Sequence, residues 1–401
     1  MKVLVVNVGS TSFKCKLFEM DDESVLASGG AECVKSERGL FFYRADGKPE
    51  VCLELPLPDH NAAIGLMLDK LVSPEVGVLN SLDEVAAIGF KTVLAGDLPG
   101  TVLLTDEVIA GMEHYSCILP AHNPPYVAAI RVFQQRTPGK PLVGVFESGF
   151  HRDRPKYTMV YGVPYSWYEE LGIKRYGYHG NSHRYVSRRV CEFLGYGGPE
   201  GLRIITCHLG GSSSLCAIKD GRSVDTSMGF SAQSGVLNST RNGDLDPFVL
   251  IYVMQEKKLS AQEVSDILTT EGGLAGISGL SGDIRDLEKA AAQGNERALL
   301  ALNVMVYDVK RYIGAYAAIL GGVDILTFAG GIGEKGVRMR SLICQGLEFL
   351  GIKLDEERNY LAQGIESVIS QDSSRVKVVV VPTNEEIIVA RETVRLVVAK
   401  Y

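Results

Sequence analysis

Asn7, Ser10, Ser12 and Lys14 crowd a tight turn in the run Asn7-Val-Gly-Ser-Thr-Ser-Phe-Lys14, which apolar residues flank on both sides. A carboxamide, two hydroxyls and an ammonium in one turn suit a phosphate and its metal, and alternation sets Ser12 and Lys14 on one face of the returning strand. The pattern occurs twice. A second copy, His208-Leu-Gly-Gly-Ser-Ser-Ser214, aligns His208 with Asn7, Gly210 with Gly9, Ser213 with Ser12 and Cys216 with Cys15 at one constant offset. Glycine lets the backbone approach a ligand closely, and serine hydroxyls with turn amides donate to anions. Two such loops predict two clamps on one polyphosphate, and so nucleotide-dependent phosphoryl transfer. The clamps are unequal. The second has Leu215 where the first has Lys14, and it offers His208, Leu209, Gly210, Gly211 and Ser212, chiefly through backbone.

Further side chains suit the same chemistry. His179 lies in Tyr176-Gly-Tyr-His-Gly, and Arg241 in Ser-Thr-Arg-Asn-Gly-Asp. A neutral imidazole donates a hydrogen bond to a phosphoryl oxygen; a guanidinium forks onto two such oxygens and offsets transition-state charge. A lone histidine in a turn is as readily structural. Glu147 and Glu385 stand at the ends of an apolar run and of a predicted helix, and Mg²⁺ bound with a nucleotide needs only one or two protein carboxylates. Glu385 equally suits a helix dipole without any metal. The stretch Ala329-Gly-Gly-Ile-Gly-Glu-Lys-Gly336 reads as a turn between strand and helix that packs a nucleotide against bare backbone.

These groups need a scaffold. With 401 residues the chain exceeds one ordinary core, and two domains are expected. Hydrophobic content of 46% and charged content of 22% fit a soluble globular protein. The net charge of −7 argues against a nucleic-acid or membrane-surface partner. The cysteines are scattered without a Cys-x-x-Cys spacing, and Cys15, Cys207 and Cys216 read as small buried thiols rather than zinc ligands or a disulfide framework. No apolar run reaches membrane-spanning length and the first one is too short for a leader, so a reduced, cytoplasmic protein is expected.

Residues 2–19 read as a hairpin, followed by strands over 25–34, 40–43 and 51–55 and a helix over 62–72. Buried strands are predicted over 85–90 and 142–146, the latter running into Glu147. A helix follows His179, with Ser182 as its cap and Gly195 as its stop. Asp246 and Pro247 open another as cap and first-turn proline. Residues 298–320 form a long buried helix, 323–328 a strand, 337–350 a helix stopped by Gly351, and 378–381 a strand. Thr383-Asn-Glu-Glu386 reads as a capping box for the last helix, which returns to cover the first domain. A strand-rich hairpin with helices, repeated, predicts two α/β domains with a cleft between them and ligands at strand ends.

Together the motifs resemble the acetate kinase family of short-chain carboxylate kinases, within the wider sugar kinase, Hsp70 and actin superfamily. The carrying stretches span the chain: both hairpins, His122-Asn-Pro, Val145-Phe-Glu-Ser-Gly-Phe-His151, Tyr178-His-Gly-Asn-Ser-His, Ser223-Val-Asp-Thr-Ser-Met-Gly-Phe230, Thr240-Arg-Asn-Gly-Asp-Leu-Asp-Pro247, Gly282-Asp-Ile-Arg285, Gly330-Gly-Ile-Gly-Glu334 and Thr383-Asn-Glu-Glu386. The resemblance implies two actin-like (ribonuclease H-like) α/β domains with a central cleft, residues 1–148 plus 382–401 and residues 149–381. It implies Mg²⁺ (or Mn²⁺) at Asn7 and Glu385. It implies ATP or ADP at Lys14, His208, Leu209, Gly210, Gly211, Ser212, Asp283, Ile284, Arg285, Gly331, Ile332, Gly333, Glu334 and Lys335, with Ser10 and Ser12 in the phosphate loop. Glu147, His179 and Arg241 fall at catalytic positions, and Lys91 and His122 where the family binds the carboxylate. The implied reaction moves the γ-phosphoryl of ATP reversibly onto a carboxylate, giving an acyl phosphate and ADP, in a homodimer.

The chain departs from the family pattern beside the chemistry. Lys91 replaces an Arg that pairs with the substrate carboxylate, which keeps the charge and loses the bidentate fork. Glu147 replaces an Asp and is one methylene longer, and a misplacement of about 1 Å can cost ~100-fold in rate. Gly211 replaces an Asn, and Ala232 a Pro at the edge of the acyl pocket. These changes leave open an acyl site retuned for another carboxylate or donor, a sugar or polyol kinase with Glu147 as base, and a nucleotide-binding paralogue without turnover.

Overall fold

The first hairpin seeds an eight-stranded sheet. β1 (Lys2–Val8) turns through the Gly/Ser stretch into β2 (Phe13–Glu19), with Asn7 opposite Lys14. β3 (Ser24–Glu32), β4 (Ser36–Ala45) and β5 (Val51–Leu57) extend it antiparallel on one side. On the other side β6 (Val85–Thr92) lies parallel to β1; beyond it come β8 (Leu142–Phe146), also parallel, and the short antiparallel edge strand β7 (Thr101–Leu103). The order is β5-β4-β3-β2-β1-β6-β8-β7.

The second hairpin seeds a six-stranded sheet from β9 (Arg203–His208), β10 (Ser214–Lys219), β11 (Arg222–Thr226), β12 (Ile325–Ala329), β13 (Ser367–Val368) and β14 (Lys377–Val380). Its order is β11-β10-β9-β12-β14-β13. The two cores match strand for strand: β3-β2-β1-β6-β8 and β11-β10-β9-β12-β14 are each three antiparallel strands followed by two parallel ones. This is a computed structural model describing residues 1–399, and the chain divides into Met1–Arg152 with the segment from Asn384 onward, and Asp153–Thr383. Every residue of the parallel strands β8 and β12 is buried, as strands covered on both faces require.

The hairpins differ in register. Asn7 pairs with Lys14, whereas His208 pairs with Ser214, the residue that aligns with Phe13. The constant sequence offset is therefore not kept across the second turn. This slip of one residue sets the Ser214 hydroxyl opposite His208 in place of Leu215, the residue that aligns with Lys14.

Helices close both sheets. The long helix Glu296–Leu320 is capped by Asn295, which accepts from the Ala298 amide at 2.9 Å, and ends at Gly321 in the left-handed region. It buries Ala301, Leu302, Met305, Val309, Ile313 and Tyr316, the spacing of one helix face, against Leu215 and Ala217 of β10 in the second unit's core. The last helix, Glu385–Val398, packs on β6, where a Cβ at Gly89 would lie 2.9 Å from Val389. That close approach holds the helix start over the end of β6 and so places Glu385.

Four local expectations are corrected. The Gly-rich stretch is not a bare turn but a short helix, Gly330–Lys335, because its amides find acceptors on the second hairpin. The helix expected over 337–350 stops at Cys344; Gly351, at φ 87°, closes a separate 3₁₀ turn, Glu348–Leu350. Asn384, not Thr383, caps the last helix by accepting from the Ile387 amide at 3.2 Å. Ser182 caps nothing: the helix Gly180–Phe193 starts earlier, after His179 in the left-handed region, and the Ser182 hydroxyl is drawn to His208 and Thr383. Asp246 and Pro247 do open a helix, Pro247–Lys257.

All eight cysteines are free thiols, with Cys15, Cys191, Cys207, Cys216 and Cys344 buried. Among the described residues no helix is long and apolar enough to cross a membrane.

Candidate active site

In the first unit, β6 ends just past Lys91, and β8 delivers Glu147 one residue beyond its last, so both side chains emerge at the carboxyl ends of parallel strands. Lys91 Nζ lies 3.0 Å from Glu147 Oε1 and is also ion-paired with Glu385 Oε2. The three side chains are only 18%, 8% and 10% exposed. Burial alone pushes Lys91 down; the charges of Glu385 and then Glu147 outweigh it and hold the ammonium well above its ordinary value. Burial pushes Glu385 up, Lys91 pulls against that, and Glu147 adds to the rise. Glu385 also sits in the first turn of its helix, where a carboxylate is favoured. With both carboxylates ionised, the trio carries one net negative charge.

Asn7 joins this group through Tyr126, whose hydroxyl donates to Asn7 Oδ1 at 3.0 Å. Burial pushes the Tyr126 phenol up, so it stays a donor, while Lys91, Glu147 and Glu385 all act on it electrostatically. The oxygens of Asn7, Glu147 and Glu385 are the hard donors a divalent cation takes. Glu385 Oε2 is buried and meets Lys91 by charge rather than by a well-directed hydrogen bond, so it is available to such an ion. Among the described residues no three Asp, Glu, His or Cys side chains are grouped to hold a metal by themselves. An ion here would therefore need oxygens from its ligand, as metal–nucleotide complexes supply.

The first turn is braced from outside the motif. Gly9 donates to the Ser12 carbonyl at 2.9 Å, and buried His60 donates from Nε2 to the Gly9 carbonyl at 3.0 Å. Ser10 is exposed at the tip, and Lys14 pairs with Glu32 at 3.7 Å in solvent. His122 stands at the entrance of the helix Asn123–Arg136, and buried Asn123 beside it donates to the carbonyls of Leu94 and Met112 at 2.9 and 2.7 Å. That pins the segment following Lys91.

In the second unit, His179 takes a left-handed backbone at φ 56° and stacks its ring on His208, with centroids 4.3 Å apart. His179 Nδ1 lies 2.8 Å from the Ser214 hydroxyl, which is also 2.8 Å from Nε2 of buried His183. His183 Nδ1 is 2.7 Å from the Thr206 hydroxyl. A parallel contact joins His208 Nδ1 to Ser182 Oγ at 2.7 Å, and Ser182 to Thr383. Arg241 Nη1 donates to the Ala232 carbonyl at 3.1 Å, and the Arg241 carbonyl accepts from the Asn238 amide at 3.0 Å. Asn238 is fully buried and its Oδ1 accepts from the Ser213 amide, so one side chain ties the second hairpin to the Arg241 loop.

The nucleotide candidates of this unit converge. The Leu209 carbonyl accepts from the Ile332 and Gly333 amides at 2.8 and 3.1 Å, and Gly330 needs its left-handed φ of 73° because a Cβ would meet that carbonyl. Ser239 donates to the Gly211 carbonyl at 3.0 Å and packs against Gly282, just before Asp283. A Cβ at Gly331 would meet nothing within 4 Å, leaving its backbone open to a ligand. Glu334 turns inward as a staple, accepting from the Gly330 and Thr383 amides. Asp283 caps the helix Ile284–Ala292 and pairs with exposed Arg285, which holds its carboxyl below the usual range.

Sequence reasoning does not single out Tyr126, Asn238, His60, His183, Ser214 or Thr206. Two weak signals bear on His183 and Thr206: His179 and His183 are four apart at a helix start, and Thr206 and His208 share one face of β9.

A model of the acetokinase family matches residues 2–391. The acetate kinase of Caldanaerobacter subterraneus subsp. tengcongensis is 46% identical over 399 residues, covering 99% of each chain. The crystal structure of Porphyromonas gingivalis acetate kinase is similar with a TM-score of 0.90 at 40% identity and 99% coverage of both chains. A propionate kinase structure from Francisella tularensis subsp. tularensis reaches 0.90 at 31% identity, covering 98% of this chain and 99% of its own.

Proposed function

We propose the reaction in detail from one premise: the chain belongs to the acetokinase family, with two actin-like domains, and is an ATP-dependent carboxylate kinase. The observation that carries the detail is the buried Lys91–Glu147–Glu385 trio with Asn7 linked to it by Tyr126.

A substrate carboxylate oxygen attacks the γ-phosphorus. The new O–P bond forms as the bond to the β–γ bridging oxygen breaks, and ADP leaves with that electron pair. The nucleophile is already an anion, so catalysis is positioning plus charge neutralisation. An ammonium has three N–H donors, and Lys91, held by charge between Glu147 and Glu385, keeps one for the substrate carboxylate. His179 donates to an equatorial phosphoryl oxygen, and Arg241 forks onto the others. Asn7, Glu385 and Glu147 would hold Mg²⁺, which when bound neutralises phosphate charge. Backbone at Leu209–Ser212 and Gly331–Lys335 receives the nucleotide, with Lys14, Ser10 and Ser12 facing its phosphates. The same groups serve the acyl phosphate and ADP, so transfer runs in both directions.

A polyol acceptor needs a base on its hydroxyl, and Glu147 is engaged by Lys91 instead. Trapping with hydroxylamine separates the readings. With ATP and Mg²⁺, hydroxamate is expected from acetate, propionate or butyrate; none from any of them would sink the proposal. Substituting pyrophosphate for ATP in the same screen identifies the donor.

The active species is a homodimer. The helix Pro247–Lys257 buries none of its residues, and Phe248 and Tyr252 are 72% and 64% exposed. An apolar face of this kind supports self-association. Sedimentation should show a dimer that Phe248→Asp with Tyr252→Asp converts to monomer, and a monomeric parent chain refutes it.

A further inference from the structure

The hydroxyls and imidazoles beside His179 form a single chain: Thr206 Oγ1, His183 Nδ1, His183 Nε2, Ser214 Oγ and His179 Nδ1, with links of 2.7, 2.8 and 2.8 Å. Thr206 is 1% exposed, and His183 and Ser214 are fully buried. With no solvent at Thr206 or Ser214, each of these two hydroxyl protons needs a protein acceptor.

Proton counting leaves one arrangement. Each hydroxyl has one proton to donate, and a neutral imidazole has one N–H and one acceptor nitrogen. The Thr206 hydroxyl makes its hydrogen bond to His183 Nδ1. Were Nδ1 protonated, the Thr206 proton would be buried without an acceptor, which folded proteins avoid. Thr206 therefore donates to Nδ1. His183 then carries its proton on Nε2 and donates to Ser214 Oγ. The Ser214 proton is left for His179 Nδ1. A doubly protonated His183 would reverse the Thr206 link and strand the Thr206 proton in the same way.

We infer that Thr206, His183 and Ser214 are positioning residues that fix His179 as the tautomer protonated on Nε2, so that its outward nitrogen is a neutral hydrogen-bond donor. Such a group donates to a phosphoryl oxygen and cannot accept from a hydroxyl. The inference rests on the reading that His179 meets the transferring phosphoryl group. It adds what makes that histidine a donor: a relay anchored on β9, not the histidine's own turn.

Long-range ¹H–¹⁵N correlation spectra of protein labelled in its histidines test this directly, with His179→Gln assigning the ring. The parent protein should show His179 with a protonated Nε2 and an unprotonated Nδ1. Thr206→Val keeps the shape and removes the anchoring proton. It should give His179 a mixed tautomer pattern and lower kcat by ~10-fold, with KM for ATP within about twofold. Thr206→Ser should restore both. A parent spectrum with His179 protonated on Nδ1 overturns the relay, and that result stands even if Thr206→Val fails to fold. An altered spectrum in Thr206→Val with unchanged kcat overturns the link to turnover. Loss of turnover in His179→Gln, read separately, tests the underlying role of His179.

Discussion

Each unit buries a polar cluster where its hairpin and parallel strands end, and the two clusters work by different physics. In the first, Lys91 is shared by two carboxylates, and the balance is one of charge. In the second, His179, Ser214, His183 and Thr206 pass a single proton direction along neutral groups. Charge acts over several ångströms and tolerates a change of side-chain length, but not the loss of a member. A hydrogen-bond relay holds no net charge, and each atom in it has one role. Lys91 and Glu147 lie 3.0 Å apart in the charged cluster, so the two departures expected from the resemblance, a shorter cation and a longer carboxylate, would act as one paired change.

The largest effect should come from removing the shared cation. Lys91→Met leaves two carboxylates buried together, and breaking a buried pair in this way costs about 3–5 kcal/mol. Activity should collapse with it. The pH response has a definite sign. Burial already holds Glu385 above its ordinary value with Lys91 pulling it down, so losing Lys91 raises it further. A raised carboxyl favours the protonated folded state, and that advantage disappears as pH rises through the raised value. The gap between Lys91→Met and the parent should therefore shrink in urea titrations as pH falls through the glutamate range, and widen above it. A pH-independent gap would show that the trio is not held by charge.

Arg241 tests the second unit from its charged side. Arg241→Ala should lower kcat by roughly 10²–10³-fold, as losing a preorganised group that meets developing charge does, while KM for ATP changes only a few-fold. Unchanged kcat removes Arg241 from the phosphoryl group and leaves His179, set by the neutral relay, as this unit's side chain on that group.

The paired departure gives a smaller, sharper test. Lys91→Arg and Glu147→Asp should each impair kcat/KM, and the double variant should be better than their sum, with a coupling of about 0.5–3 kcal/mol. Strict additivity would mean the two positions changed independently.

Much of the charged cluster is legible in the amino-acid sequence. Glu147 follows a buried apolar run and Glu385 opens a helix, so local signals alone place both at element ends. The duplicated hairpin likewise announces two matching sheets. The partners are not legible. The family pattern pairs Lys91 with a substrate carboxylate, but its two protein carboxylates come from a neighbouring strand and from a helix that returns after the whole second unit. The neutral relay is hidden for a different reason. Ser214 faces His208 only because the second hairpin slips by one residue, and register across a Gly/Ser turn is decided by packing that the turn's own sequence does not encode. Ser182 misleads for the same cause: a hydroxyl near a helix start is a cap only when no better partner lies across the fold.

The smallest effect should mark the two hairpins themselves as unequal. Lys14 meets Glu32 at 3.7 Å, with both side chains more than half exposed at 57% and 53%, so Lys14→Ala should change stability by no more than about 0–1 kcal/mol. Ser214, opposite His208 and fully buried, bridges two imidazoles, and Ser214→Ala strands their nitrogens at a cost of about 1–3 kcal/mol. Chemical denaturation of the two variants under one set of conditions measures this. Equal losses would mean that the register slip has no energetic consequence. A raised KM for ATP in Lys14→Ala without lost stability would place the first hairpin's contribution on the ligand, and the second's on the fold that orients His179.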